Sequence, residues 1–340
     1  MGGLKSRHIF SAAAVAAAVL IIFCAVNIQE RKKEENKGIK IGVSVYKSND
    51  AFVAEIVKYM EESAREYEQE TGVKINLDVS AAKSSQRTQN EQIKRYISLG
   101  YDVICVNIVD RTDASSIIDS ATAEGIPIVF FNREPVYEDI LRGENIYYVG
   151  TDAKSTALLQ AQMLIDIYDA DPLSLDKNGD GKLQYVMLEG ETGHQDAIIR
   201  TDWSVQTVAN HGITMEKLTG GAADWDKNQA AALMEQWIGT YGKSIEVVLC
   251  NNDEMALGAV NALEAAGMEE TAVFGIDATE EGAEAVKDGR LLGTVNCNAS
   301  YQGESIFGLA VSLGRYGRPP EDLPITDGRY IRSPIEIVKQ

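Results

Sequence analysis

DKNGDGKLQYVML (residues 176–188) decides the fold, because it begins as one kind of structure and ends as another. Its first nine positions match the loop of a calcium-binding EF-hand, which takes oxygens from positions 1, 3, 5, 7 and 9 and a sharp turn from Gly at 6. Those places are held by Asp176, Asn178, Asp180, the Lys182 carbonyl, Gln184 and Gly181. An EF-hand then needs a bidentate Glu at position 12, on an exiting helix. Here position 12 is Met187, inside the apolar run Tyr185 to Leu188, which reads as a strand. Any bidentate carboxylate comes from elsewhere, and the helical calcium sensors are excluded.

Similar apolar runs recur on either side. Residues 39–46, 73–79, 103–109, 127–131, 147–149, 245–249, 272–276 and 293–295 read as further strands, joining 184–188. Between them lie helical patterns such as Val53, Ile56, Met60, Ala64 and Tyr67, closed by Gly72. Strand and helix in alternation build βαβ units and mainly parallel sheets covered on both faces, so the fold class is α/β. The pattern pauses over the oxygen-rich loop and then starts a second series, which predicts two sheets. No Pro- or Ser-rich linker separates the halves, so they lie side by side.

The chain has 340 residues, enough for two cores, and its formal charge of −19 excludes nucleic acid as a partner, since neutralising phosphates needs clustered Lys and Arg. Cys105 and Cys250 fall in or at the end of apolar runs, as small buried hydrophobes do, and there is no C-x-x-C pair for zinc or dithiol chemistry. At the N-terminus, Lys5 and Arg7 precede an apolar run over residues 9–28, and a charged segment follows over 30–37. That is the order of an export signal. Cleavage, lipidation at Cys24 and retention as a membrane anchor are the three outcomes left open.

Polar residues cluster where parallel strands end. Asp50 and Phe52 follow the first strand, and Asn132 with Arg133 follows the run at 127–131. His194, Asp196 and Arg200 come after Leu188; Asn251, Asn252 and Asp253 after Leu249; Asp277 after Ile276. Asp and Asn are favoured as helix caps and in turns, but the carboxyl edge is also where open α/β sheets bind ligands. Planar carboxylate, amide and guanidinium groups together satisfy a hydroxyl both as donor and as acceptor. Phe52 and Trp225 offer aromatic faces for the apolar C–H faces of a sugar ring, Trp225 being alternatively a core side chain. No nucleophile elbow, P-loop or dinucleotide fingerprint occurs, so an enzyme is the weaker reading.

Over residues 39–338 the chain resembles the galactose/glucose-binding proteins of bacterial sugar ABC importers. The resemblance is carried by YKSNDAF (46–52), IPIVFFNREP (126–135), YYVGTD (147–152), DKNGDGKLQYV (176–186), GHQDAIIR (193–200), IEVVLCNNDEMALGAV (245–260), VFGIDA (273–278) and LGTV (292–295). It implies a type I periplasmic binding protein: two Rossmann-like lobes joined by three crossings near Gly150, Asn298 and Pro334. Residues 39–150 and 299–331 would form one lobe, and 151–298 with 332–340 the other, after an export or anchor segment and charged linker over 1–38. By resemblance Asp50, Asn132, Arg133, His194, Asp196, Arg200, Asn252 and Asp277 hydrogen-bond a monosaccharide between stacking rings of Phe52 and Trp225. Arg133 stands where the family has Lys, and Cys297 where it has a sugar-binding Asn, a role that Asn296 or Asn298 would take after a register shift. The resemblance also supplies Glu246 as the missing bidentate ligand of a structural Ca²⁺ site with Asp176, Asn178, Asp180, Lys182 and Gln184.

The function implied is capture without turnover: an exported monomer delivers its sugar to an ABC permease in the membrane. A sugar sensor signalling to a membrane partner is the alternative. A transcription regulator would need a DNA-binding helix-turn-helix where the apolar N-terminal run stands.

Overall fold

The computed structural model describes residues 38–339. The export segment with Lys5, Arg7 and Cys24 lies outside the described residues. Strands and helices alternate as β1 (Ile39–Val45), α1 (Ala51–Thr71), β2 (Ile75–Ala81), α2 (Gln86–Ser98), β3 (Val103–Val106), α3 (Ser115–Ala123), β4 (Ile128–Phe131), α4 (Tyr137–Ile140) and β5 (Ile146–Gly150). The series continues with α5 (Ala153–Ala170), β6 (Lys182–Glu189), α6 (Gln195–Asn210), β7 (Thr214–Ala222), α7 (Lys227–Tyr241), β8 (Val247–Cys250), α8 (Asp253–Ala265), β9 (Ala272–Phe274), α9 (Glu280–Lys287) and β10 (Gly293–Asn296). Helix α10 (Ala299–Tyr316) and strands β11 (Tyr330–Arg332) and β12 (Glu336–Lys339) complete it.

Two six-stranded sheets result, in the orders β2-β1-β3-β4-β5-β11 and β7-β6-β8-β9-β10-β12. The second repeats the strand order of the first, and the two differ only in the direction of the last strand. All neighbours pair in parallel except β10 and β12, which are antiparallel. The central strands β3, β4 and β8 are wholly buried, which is why they read as continuous apolar runs. Strand β7 (TMEKLTGGA), by contrast, is an edge with two glycines and mixed polar residues, and β11 and β12 are short edge pieces. None of these three carries an apolar run.

Helix α1 shows how the layers close. Asp50 caps its start, accepting the Val53 N–H, and Gly72 ends it in a left-handed conformation. Phe52, Val53, Ile56, Met60 and Ala64 bury one stripe of the helix in the core beside α10 and the first sheet.

The chain leaves the first sheet after Gly150, returns to it through Cys297 and Asn298 into α10, and leaves again between Arg332 and Glu336. The three strands are tied together where they pass. Ser333 donates its N–H to the Gly150 carbonyl at 2.9 Å and its hydroxyl to the Cys297 carbonyl at 3.0 Å. Arg332 binds Glu134 at 2.8 Å and the Thr151 carbonyl at 3.2 Å.

Candidate functional site

The carboxyl edges of the two sheets face one another, and the helices that follow point their N-termini at the gap. Asp50, His194 and Asn252 each cap such a helix and border the gap at the same time. Asp50 accepts the Val53 N–H on Oδ1 at 2.9 Å and the Tyr46 hydroxyl on Oδ2 at 2.6 Å. Asn252 accepts the Met255 N–H on Oδ1 at 3.1 Å. Capping therefore orients these side chains; it leaves Asn252 its amide nitrogen and His194 its Nε2, while Asp50 keeps only the remaining lone pairs of its carboxylate.

All the residues singled out for the ligand site converge: Asp50, Phe52, Asn132, Arg133, His194, Asp196, Arg200, Trp225, Asn252 and Asp277 line one cavity. Tyr46 lines it too and was missed, because it closes an apolar run and reads as part of the strand. Its ring carries the Arg133 guanidinium 3.5 Å from the centroid. Asn107, also missed, is wholly buried behind the site; its amide donates to the Phe131 carbonyl and to Asn132 Oδ1, fixing the left-handed backbone of Asn132.

Trp225 is both core and wall. It packs in the hydrophobic cluster of the second sheet and lines the cavity, with the His194 ring edge-on at 5.1 Å. Its indole lies against Gly190, where a Cβ would stand 2.1 Å from the ring, so only glycine fits there.

The charge pattern is set by burial. The His194 Nδ1 accepts the Asp196 N–H at 3.1 Å, so the neutral ring carries its proton on Nε2. Burial first, then Arg133, Arg200 and Arg111, push this imidazole well below its ordinary range and keep it neutral. Arg200 sits between two carboxylates without gripping either: Asp277 is 3.7 Å away and Asp196 4.0 Å. It donates to the Asn251 carbonyl at 2.8 Å, and its buried Nε has no partner. Burial raises the carboxyls of Asp196 and Asp277, and Arg200 offsets part of that rise in each. On Arg200 burial opposes the charge, but the carboxyls led by Asp277 outweigh it. The arrangement offers donors and acceptors in alternation, with no activated nucleophile.

Cys297 does not line the cavity. It is wholly buried, and burial, then Asp277, push its thiol far up, so it stays protonated. The register-shift expectation is corrected: the Asn298 side chain caps α10 through the Tyr301 N–H, and Asn296 is held by the Asn298 N–H and Glu336. Neither reaches the cavity. Cys105, Cys250 and Cys297 are free and buried.

Among the described residues, three polar contacts cross the gap. Arg133 Nη2 binds Glu191 at 2.8 Å, Lys47 donates to the Asp224 carbonyl at 3.3 Å, and the Glu280 N–H donates to Glu55 at 2.9 Å. With the lobes so joined the cavity encloses only about 30 Å³. That is room for a water or two. A larger chamber of about 480 Å³ adjoins it and shares Arg133, His194 and Asp196.

The oxygen-rich loop is closed on itself. Asp176 accepts the Gly179, Asp180 and Gly181 N–H groups, and Glu246 accepts those of Asn178 and Gln184 at 3.1 and 3.0 Å. Glu246 thus stands beside the loop from the start of the β8 segment, 2 % exposed, with Asp176 4 % exposed. Among the described residues no basic side chain pairs with Asp176, Asp180 or Glu246, Lys182 being paired with Glu216. Nor do three His, Cys, Asp or Glu side chains converge closely enough to hold an ion unaided.

A periplasmic binding protein domain model matches residues 41–318. The chain belongs to the periplasmic binding protein family. The D-galactose/methyl-galactoside binding periplasmic protein of Haemophilus influenzae is 35 % identical over 277 residues, 81 % of this chain and 82 % of that one. The xylitol-binding protein of Mycolicibacterium smegmatis is 30 % identical over 273 residues, covering 80 % and 71 %. A solved ABC transporter solute binding protein from Bacillus halodurans, with bound myo-inositol, superposes with a TM-score of 0.74 at 30 % identity, covering 89 % of this chain and 95 % of that one. The two Rossmann-like lobes are those of this family, and this periplasmic binding protein binds a solute rather than transforming it. Membership places it on the extracytoplasmic side of the membrane. Among the described residues no helix is long and apolar enough to cross a membrane.

Proposed function

We propose that this protein captures a monosaccharide of the galactose/glucose type in the interlobe cleft and hands it to an ABC permease. The observation that carries the reading is the convergence of Asp50, Asn132, His194, Asp196, Arg200, Asn252 and Asp277 from both sheets on one cavity walled by Phe52 and Trp225. Arg200 then donates to ring hydroxyls that Asp196 and Asp277 accept from, replacing two long contacts by short charge-assisted bonds. The neutral His194 donates from Nε2, which suits an uncharged ligand. A sugar does not fit so small a space, so it enters an open form and favours a closed one with a wider cavity than this, by touching both walls. The adjoining chamber is the approach.

In this reading Asp176, Asn178, Asp180, the Lys182 carbonyl, Gln184 and Glu246 hold a structural Ca²⁺, whose charge balances carboxylates that lack a basic partner. The N-terminal segment keeps the protein at the membrane as a lipid or helical anchor, and the protein works as a monomer.

Calorimetric titration with D-galactose, D-glucose, D-ribose and myo-inositol tests the function. One hexose should bind to wild type, and Asp277→Ala should weaken it by about 30-fold or more, as expected for removing one partner of a buried charged pair. Failure of the whole panel, or undiminished affinity in Asp277→Ala, would sink the reading.

A further inference from the structure

The turn that brings Asp277 to the cleft has a backbone that L-residues avoid, with φ 124° at Asp277 and 50° at Ala278. Such conformations persist only where the surroundings enforce them. Behind this turn stands a carboxylate that does not itself border the cavity. Asp253 is wholly buried in the first turn of α8. Its Oδ2 accepts the Thr279 N–H at 2.9 Å, and its Oδ1 accepts the Thr294 hydroxyl at 2.6 Å. That hydroxyl in turn accepts the Ala278 N–H at 3.3 Å. The two amides that follow Asp277 thus hang on one side chain, directly or through one hydroxyl.

Two glycines close on the same carboxylate. A Cβ at Gly275 would lie 2.2 Å from Asp253 Oδ1, and one at Gly282 would lie 2.1 Å from Oδ2. The segment after β9, the start of α9, and β10 are therefore drawn onto α8 at a single point. No basic side chain pairs with Asp253 among the described residues, so its burial is offset only in part, by hydrogen bonds from Thr294 and from the Thr279 amide and hydroxyl.

We propose that Asp253 is a positioning residue of the ligand site: it holds the Asp277–Ala278 turn in its left-handed backbone and so aims the Asp277 carboxyl at the ligand. The aim at a ligand rests on the function proposed above; the hold on the turn does not. Two variants of the full chain test it, Asp253→Asn and the milder Thr294→Val, which removes only the bridging hydroxyl. Hydrogen exchange over residues 275–282, measured without sugar, should speed up by about tenfold at the Ala278 and Thr279 amides while β1 is unchanged. Calorimetry with D-galactose or D-glucose, whichever wild type binds, should show affinity weakened by about tenfold. In an Asp277→Asn background that loss should shrink, because the two residues act through one another. A lowered melting temperature with unaltered affinity would reduce Asp253 to a structural residue and overturn the proposal. Unaltered exchange in both variants would overturn it as well. Should wild type bind none of the sugars, the sugar reading fails, and the exchange measurement still decides whether Asp253 holds the turn.

Discussion

His194 caps α6, stacks edge-on against Trp225 and borders the cavity, and one physical state serves all three. A protonated ring has no lone pair on Nδ1 to accept the Asp196 N–H, so charging it breaks the cap. Its folded pKa lies below the ordinary 6.5, chiefly through burial. As pH falls through about 6.5 the unfolded chain takes up a proton that the folded ring refuses, and stability is lost, by at most about 1.4 kcal/mol per pH unit. The buried Asp196 and Asp277 act in the opposite sense, since raised carboxyl pKa values favour folding at low pH. Urea unfolding at pH 7.5 and 5.5 separates the two: wild type should lose more stability on acidification than His194→Gln, and equal losses would refute the assignment. Arg133 makes a related point. It stacks on Tyr46 and forks to the Val109 carbonyl and Glu191, which a Lys ammonium cannot do at once.

At the scale of elements, the site is a consequence of parallel strands. Every strand that enters the cleft runs the same way, so its carboxyl end and the next helix cap arrive together. This made Asp50, His194, Asn252 and Asp277 legible from sequence. Tyr46 and Asn107 were not, because both fall within apolar runs read as strand, 39–46 and 103–109, and only the placement of neighbouring strands shows what they face. Strands β7, β11 and β12 were missed for a different reason: β7 is a part-exposed edge with no apolar run, and β11 and β12 are only three and four residues long. The loop ahead of β6 yields its own prediction. Calcium should raise the melting temperature and EDTA lower it, since binding at 100-fold over Kd stabilises by about 2.7 kcal/mol. Glu246→Gln should abolish that response. An unresponsive wild type would dismiss the ion.

For the whole molecule the question is what holds the lobes together without a ligand. Among the described residues the contacts that cross the gap are few, and only Arg133–Glu191 is an ion pair, with the Glu side chain 30 % exposed. The Arg133 side chain is 6 % exposed, so the pair is half-buried and less screened than a surface pair. With so few contacts across the gap, closure stays reversible, as a binding protein that must open again requires. Glu191→Gln should shift the ligand-free protein toward open forms, seen as a longer mean distance between spin labels on the two lobes. Ligand affinity should fall about fivefold or less. Distances identical to wild type would show that the pair does not govern closure.

The sequence alone determined what depends on near neighbours: the alternation of apolar runs with helical stripes, the polar residues at strand ends, and the oxygen-bearing spacing from Asp176 to Gln184. Such patterns are local, because strand and helix impose periods of a few residues. Tertiary structure decided everything that joins distant segments. Lys47 meets Asp224, Arg133 meets Glu191, and Asp253 finds the turn after β9. These partners carry no mark in their own surroundings, since each is an ordinary polar residue until folding buries it beside the other.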